Sequence, residues 1–125
     1  MILVDTSVWI DHFRKGNHRL KKILEQESAS MHDFVLGELA LGNFRDRRNV
    51  LSLLTSLPRC PCANPREILW LVEHHRLMGK GVGYVDACLL SSARLTGFRL
   101  WTKDLRLAAM ARELQCDDHE SEDGS

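Results

Sequence analysis

Apolar positions along this chain switch between short unbroken runs and the three-to-four spacing of amphipathic helices. The first run is Ile2, Leu3 and Val4, closed by Asp5, Thr6 and Ser7. A run this short, ended by a polar turn, reads as a buried parallel strand. Residues 7–14 (SVWIDHFR) then place Trp9, Ile10 and Phe13 at helical spacing, and Gly16 and Asn17 end that helix. A second helix is expected over 18–27, with Leu20, Ile23 and Leu24 on one face and Arg19, Lys21 and Lys22 on the other. Residues 28–32 read as a short second strand. Asp33 is placed to cap a helix that carries Val35, Leu36 and Leu39 and ends at Gly42.

Residues 46–57 form another amphipathic stretch, followed by Pro58 and the segment PRCPCA, an edge strand or extended connection. Asn64, Pro65 and Glu67 mark a helix start, with a cap, a first-turn proline and a capping box. That helix is expected to reach about Met78 and stop at Gly79. The connector GKGVG follows. It lacks the strand and the Lys-Ser/Thr ending of a phosphate-binding loop. A helix over 84–95, ended by Gly97, leads to the strand FRLWT (98–102) and a last helix through Leu105, Leu107, Met110 and Leu114. Strands alternating with helices predict an α/β fold, a three-layer α/β/α sandwich with a short central parallel sheet.

Composition bounds the class without naming a function. A chain of 125 residues with 44% hydrophobic and 27% charged positions suits one globular domain. No apolar run approaches the roughly 20 residues that span a bilayer, and the start lacks the pattern of a secretion signal. No membrane role and a cytoplasmic location are therefore expected. The zero net charge hides an asymmetry. Residues 117–125 (DDHESEDGS) hold five acids and no Lys or Arg. The rest carries 17 basic against 12 acidic residues, a formal +5 that suits a phosphate-rich partner. Residues 1–114 are read as the domain and 115–125 as an acidic, disordered tail. Cys60, Cys62, Cys88 and Cys116 lack zinc-site spacing and read as free thiols, with Cys88 in the core.

Four acids stand apart from the solvent-facing charge. Asp5 and Asp104 follow apolar strands. In a parallel sheet both emerge at the same edge, where such folds place their chemistry. Glu38 and Asp86 lie among apolar neighbours in helices that start from that edge. Each also has a structural use: Asp5 and Asp104 as helix caps, Asp86 toward a helix dipole. Carboxylates embedded in apolar stretches need a partner, and one divalent ion neutralises several. Oxygen donors without a His/Cys cluster favour Mg²⁺ or Mn²⁺ over zinc. His74 and His75, adjacent on a helix, point to different faces and read as surface or packing groups.

The stretches VDTSVWID (4–11), GELALG (37–42), GVGYVDACLLSSARLTG (81–97) and LWTKD (100–104) resemble those of PIN-domain ribonucleases, especially the VapC-type toxins of toxin–antitoxin pairs. The resemblance covers residues 1–114 in the family's order. It implies an endoribonuclease with one or two Mg²⁺ or Mn²⁺ ions that hydrolyses a phosphodiester in structured RNA, transfer or ribosomal. The mechanism it implies is in-line attack on phosphorus by a metal-bound water, a route that does not need the 2′-hydroxyl as nucleophile. It further implies a VapB-type antitoxin partner and a homodimer. By position, Asp5, Glu38 and Asp86 become the main metal ligands, and Asp104 supports a second ion or its waters. Thr6, Ser7 and Thr102 become groups that orient the carboxylates. Arg14, Lys15, Arg19, Lys21, Lys22, Arg45, Arg47 and Arg48 are candidates for phosphate contact. Trp9, Ile10 and Phe13 fit a core face and also an antitoxin-gripping surface. Two other readings stay open: a phosphotransfer or phosphatase-type domain with Asp5 as acceptor and Lys103 on the phosphate, and a non-catalytic RNA- or protein-binding member.

Overall fold

The computed structural model describes residues 1–119. In chain order the elements are β1 (Ile2–Val4), α1 (Thr6–Lys15), α2 (His18–Glu25), β2 (Ala29–Ser30), α3 (Asp33–Ala40), α4 (Arg47–Thr55), α5 (Pro65–His74), α6 (Tyr84–Thr96), β3 (Arg99–Trp101) and α7 (Leu105–Glu113). The three strands form a parallel sheet in the order β2-β1-β3, with Leu3 opposite both Ser30 and Leu100. Leu3, Val4, Leu100 and Trp101 are buried within the helices on either side. Each such side chain contributes about 1.5–3 kcal/mol by leaving water. That burial fixes the register of β1 and so the point at which Asp5 leaves the sheet. The result is the expected α/β/α sandwich.

The strand expected in PRCPCA is only an isolated parallel bridge between Met31 and Arg59. Its two prolines lack the N–H groups that a ladder needs. Asp33 does not cap α3. His32 does, through Nδ1, which accepts the N–H of Phe34 at 3.1 Å. Asp33 instead pairs with Arg59 at 2.9 Å. The helix expected to reach Met78 stops at His74. Arg76 takes a left-handed conformation (φ 54°), and the N–H of Leu77 returns to the carbonyl of Val72. Leu77 thus reaches the core by a turn rather than by another helical repeat. The capping box at Asn64 and Glu67 forms as expected.

Beyond residue 114 the chain runs back along β3. Leu100 donates to the carbonyl of Cys116 (2.7 Å), and Asp118 donates to the carbonyl of Leu100 (3.1 Å). Cys116, Asp117 and Asp118 are buried beside β3. Asp118 pairs with Arg19, whose guanidinium lies 4.4 Å from the centre of the Trp101 ring. An acidic string looks like a solvated tail until its backbone finds an open strand edge and its carboxylate a buried cation. The expected disorder of residues 120–125 lies outside the described residues. Trp9 belongs to the core and Ile10 is 44% exposed. Phe13 stacks on Phe44 with ring centres 4.7 Å apart.

Candidate active site

Asp5 leaves β1 with its N–H bonded to the carbonyl of Trp101 (2.9 Å), so the ladder holds its backbone. Asp5 is only 7% exposed. Among the described residues every hydrogen bond to its carboxylate falls on Oδ2. The hydroxyls of Ser7 and Thr102 each donate at 2.7 Å, and the Ser7 N–H approaches at 3.4 Å. Asp5 therefore caps α1 and offers a second oxygen whose direction is set. Thr102 Oγ1 also accepts the N–H of Asp104 (3.0 Å), and Ser7 Oγ accepts that of Lys103 (3.0 Å). One small polar knot thus ties the ends of β1 and β3 together.

The other acids are arranged alike. Thr6 donates its hydroxyl to Glu38 Oε1 at 2.7 Å, joining the start of α1 to α3. Asp104 caps α7, with Oδ1 accepting the N–H groups of Arg106 and Leu107. Three carboxylates thus have one oxygen pinned by the protein. Asp86, in the first turn of α6, completes the group. Burial pushes its carboxyl above the usual range, and the charges of Asp5, Asp104 and Glu38 add to that, against a backbone hydrogen bond from Gly83. The charges of the other three expected acids all bear on Asp86. Among the described residues none of them forms an ion pair.

Asp11 shows the contrast. It lies one turn after Ser7 on α1, yet the Asn17 amide, Lys103 and Lys15 hold its carboxyl below the usual range. Lys103 Nζ lies 3.7 Å from it and Lys15 Nζ 3.4 Å. This negative charge is already balanced, whereas those of the quartet are not.

Residues 2–113 match the family described as the PIN domain. The chain belongs to the PIN-domain family. Within it the chain is of the VapC type. It is 49% identical over 114 residues to Ribonuclease VapC32 of Mycobacterium tuberculosis, in the strains CDC 1551 / Oshkosh and ATCC 25618 / H37Rv, covering 90% of this chain and 92% of the relative. The crystal structure of PAE2754 from Pyrobaculum aerophilum has the same fold, with a TM-score of 0.61 and 19% identity over 91% of this chain and 94% of that one. No helix among the described residues is long and apolar enough to cross a membrane.

Not every expected residue of this PIN domain serves the site edge. Arg19 is engaged beneath the surface by Asp118 and Trp101. Arg47 donates to the carbonyls of Gly42 and Ala40 and closes the end of α3. Arg14, Lys15, Lys21, Lys22, Arg45 and Arg48 are exposed. The sequence reading missed Arg106, which packs against Gly81. A Cβ at Gly81 would meet its Nη1 at 2.5 Å, and φ there is +75°. This places a guanidinium beside the GKGVG connector that leads into Asp86. Its signal was its position two residues after Asp104.

The raised Asp86 carboxyl has a consequence for stability. A carboxyl that binds its proton more tightly when folded stabilises the fold fully below the unfolded value of about 3.9, and loses that contribution as pH rises through the folded value. The metal-free PIN domain should therefore gain stability from Asp86→Asn, with a gain that grows as pH rises above about 4. Melting temperatures of the two proteins across that rise test this. A difference that stays flat with pH would remove the strain assigned to Asp86.

Proposed function

We propose that this chain is a Mg²⁺- or Mn²⁺-dependent endoribonuclease acting on structured RNA, transfer or ribosomal. In this reading it is the toxin of a toxin–antitoxin pair, a cytoplasmic homodimer held in check by a VapB-type antitoxin protein. The observation that carries the reading is the uncompensated quartet. The charges of Asp5, Asp104 and Glu38 bear on Asp86, those three carboxylates each have one oxygen pinned, and the half-buried Asp86 is pushed toward its neutral form. An all-oxygen donor set of this charge fits a hard divalent ion. The ribonuclease name of the 49% identical relative supports the choice of reaction.

Asp5, Glu38 and Asp86 would hold the main ion, and Asp104 a second ion or its waters. Such an ion, when bound, makes a water nucleophilic near neutral pH and offsets charge on the phosphoryl oxygens. The chain's own groups supply orientation. Ser7 and Thr102 fix Asp5, and Thr6 fixes Glu38. Partners of this kind keep carboxylates aimed before a ligand arrives. The exposed Arg14, Lys15, Lys21, Lys22, Arg45 and Arg48, with Arg106, would contact phosphates and give affinity without sequence choice. Ser7 stands where a phosphatase of the second reading would carry its other acid, and Ser7 is donating to Asp5.

The test is cleavage of a labelled transfer RNA and a ribosomal stem-loop by antitoxin-free protein. Cleavage is expected with Mg²⁺ or Mn²⁺, none in EDTA, and recovery on adding excess metal. Water as nucleophile leaves no 2′,3′-cyclic phosphate. Cyclic ends, or cutting that persists in EDTA, would overturn the metal-dependent route.

A further inference from the structure

Away from the carboxylates, His32, Cys62 and Cys88 offer donor atoms that all lie within 4.8 Å of one another. Such a trio suits either a soft metal ion or an oxidisable thiol pair. The ring of His32 decides between them. Its Nδ1 accepts the N–H of Phe34, the cap of α3. A neutral imidazole with Nδ1 as acceptor carries its proton on Nε2. That N–H faces Ser92 Oγ at 3.0 Å and Cys88 Sγ at 3.8 Å. A metal-ligating histidine needs the opposite arrangement, a lone pair toward the ion and an N–H on the far nitrogen. Ligation through Nε2 would set that N–H against the N–H of Phe34 and cost α3 its cap.

The two sulfurs meet without this conflict. Cys62 Sγ lies 3.6 Å from Cys88 Sγ. A disulfide measures about 2.05 Å, so the pair closes by roughly 1.5 Å. Cys62 is exposed, on the segment before α5, whereas Cys88 is fully buried in α6. An oxidant therefore reaches Cys62 first, with Cys88 already in contact. Ser92 Oγ faces His32 Nε2 and accepts the N–H of Ala63 at 2.9 Å, which pins the segment onto α6 and keeps the thiols together.

We propose that Cys62 and Cys88 form a modification site, which a hydroperoxide converts to an intramolecular disulfide. The peroxide O–O bond breaks as the Cys62 sulfur takes one oxygen to become a sulfenic acid. The thiol proton leaves with the other oxygen, as water when the oxidant is hydrogen peroxide. The Cys88 sulfur then attacks the Cys62 sulfur, the S–O bond breaks, and the hydroxyl leaves with the Cys88 proton as a second water. Two thiols give up two electrons and two hydrogens to one peroxide. The bond ties the segment before α5 to α6 and restrains the unfolded chain, so the oxidised protein melts higher than the reduced one.

Reduced protein, freed of reductant and treated with hydrogen peroxide, tests this. Two of its four thiols should vanish on titration in denaturant. The mass should fall by two hydrogens, a peptide should join Cys62 to Cys88, and dithiothreitol should reverse all three. Cys62→Ser, at an exposed position, should fold and form no such link. Four thiols surviving while a free-thiol control peptide oxidises would overturn the proposal. So would Cys62 halting at sulfinic or sulfonic acid with Cys88 intact. One equivalent of Zn²⁺ retained by the reduced protein but not by Cys62→Ser would also overturn it, in favour of a metal site.

Discussion

Asp5→Asn should lower RNA cleavage by about 10³-fold or more while the protein stays folded. Asparagine caps a helix about as well as aspartate, and its Oδ1 can still accept from Ser7 and Thr102. What it removes is the negative charge. The knot at the end of β1 therefore survives, and the site loses a donor for a divalent ion. Stability should not fall, because Asp5 is one of the charges that push the Asp86 carboxyl up. Cleavage rates with labelled RNA and a melting curve in EDTA separate the two effects. A variant that cuts at the wild-type rate would sink the assignment of the quartet. One that fails to fold would make the cap the main work of Asp5.

Arg19→Ala should cost about 3–5 kcal/mol, the range for breaking a buried ion pair by removing one partner. The side chains of Arg19 and Asp118 are 11% and 8% exposed, and the guanidinium also covers the Trp101 ring. Removing it takes the guanidinium away from the Asp118 carboxylate and the cover from the Trp101 ring. At about 2–8 °C per kcal/mol the melting temperature should drop by some 6 °C or more. Arg19→Ala with Asp118→Asn should recover part of the loss, because the acid that Arg19 balances is then neutral. RNA binding at a temperature where the variant is folded should keep its salt dependence, since no phosphate contact is lost. A steep loss of salt dependence with unchanged melting would return Arg19 to the RNA-facing surface.

These two positions mark how far the sequence could be read. Asp5 was legible because an apolar run and a polar turn sit side by side in the chain, and strand geometry follows from that local pattern. Its double use as cap and site residue was legible as two competing options, and the structure shows the cap in place. Arg19 was misread because a basic residue on a lysine-rich helix looks solvent-facing. Its partner, Asp118, lies about a hundred positions away in a stretch that reads as tail. The cap of α3 was misread for a similar reason. Asp33 is the better capping residue by type, but the burial of His32 in contact with Ser92 places its ring at the helix end.

By itself the sequence determined the alternation of strands and helices and the parallel sheet. These follow from hydrophobic spacing and from the right-handed crossover, both of which act over short stretches. Only the tertiary structure decided which charges are balanced. Asp11 meets Lys103 from the far end of the chain, while the charges of Asp5, Asp104 and Glu38 bear on Asp86. It also decided that residues 116–118 close the sheet edge, and that Cys62 meets Cys88. Each of these depends on a contact between distant segments. The free energy of such a contact comes from excluding water and matching charge across a gap, and that gap exists only once the core has packed.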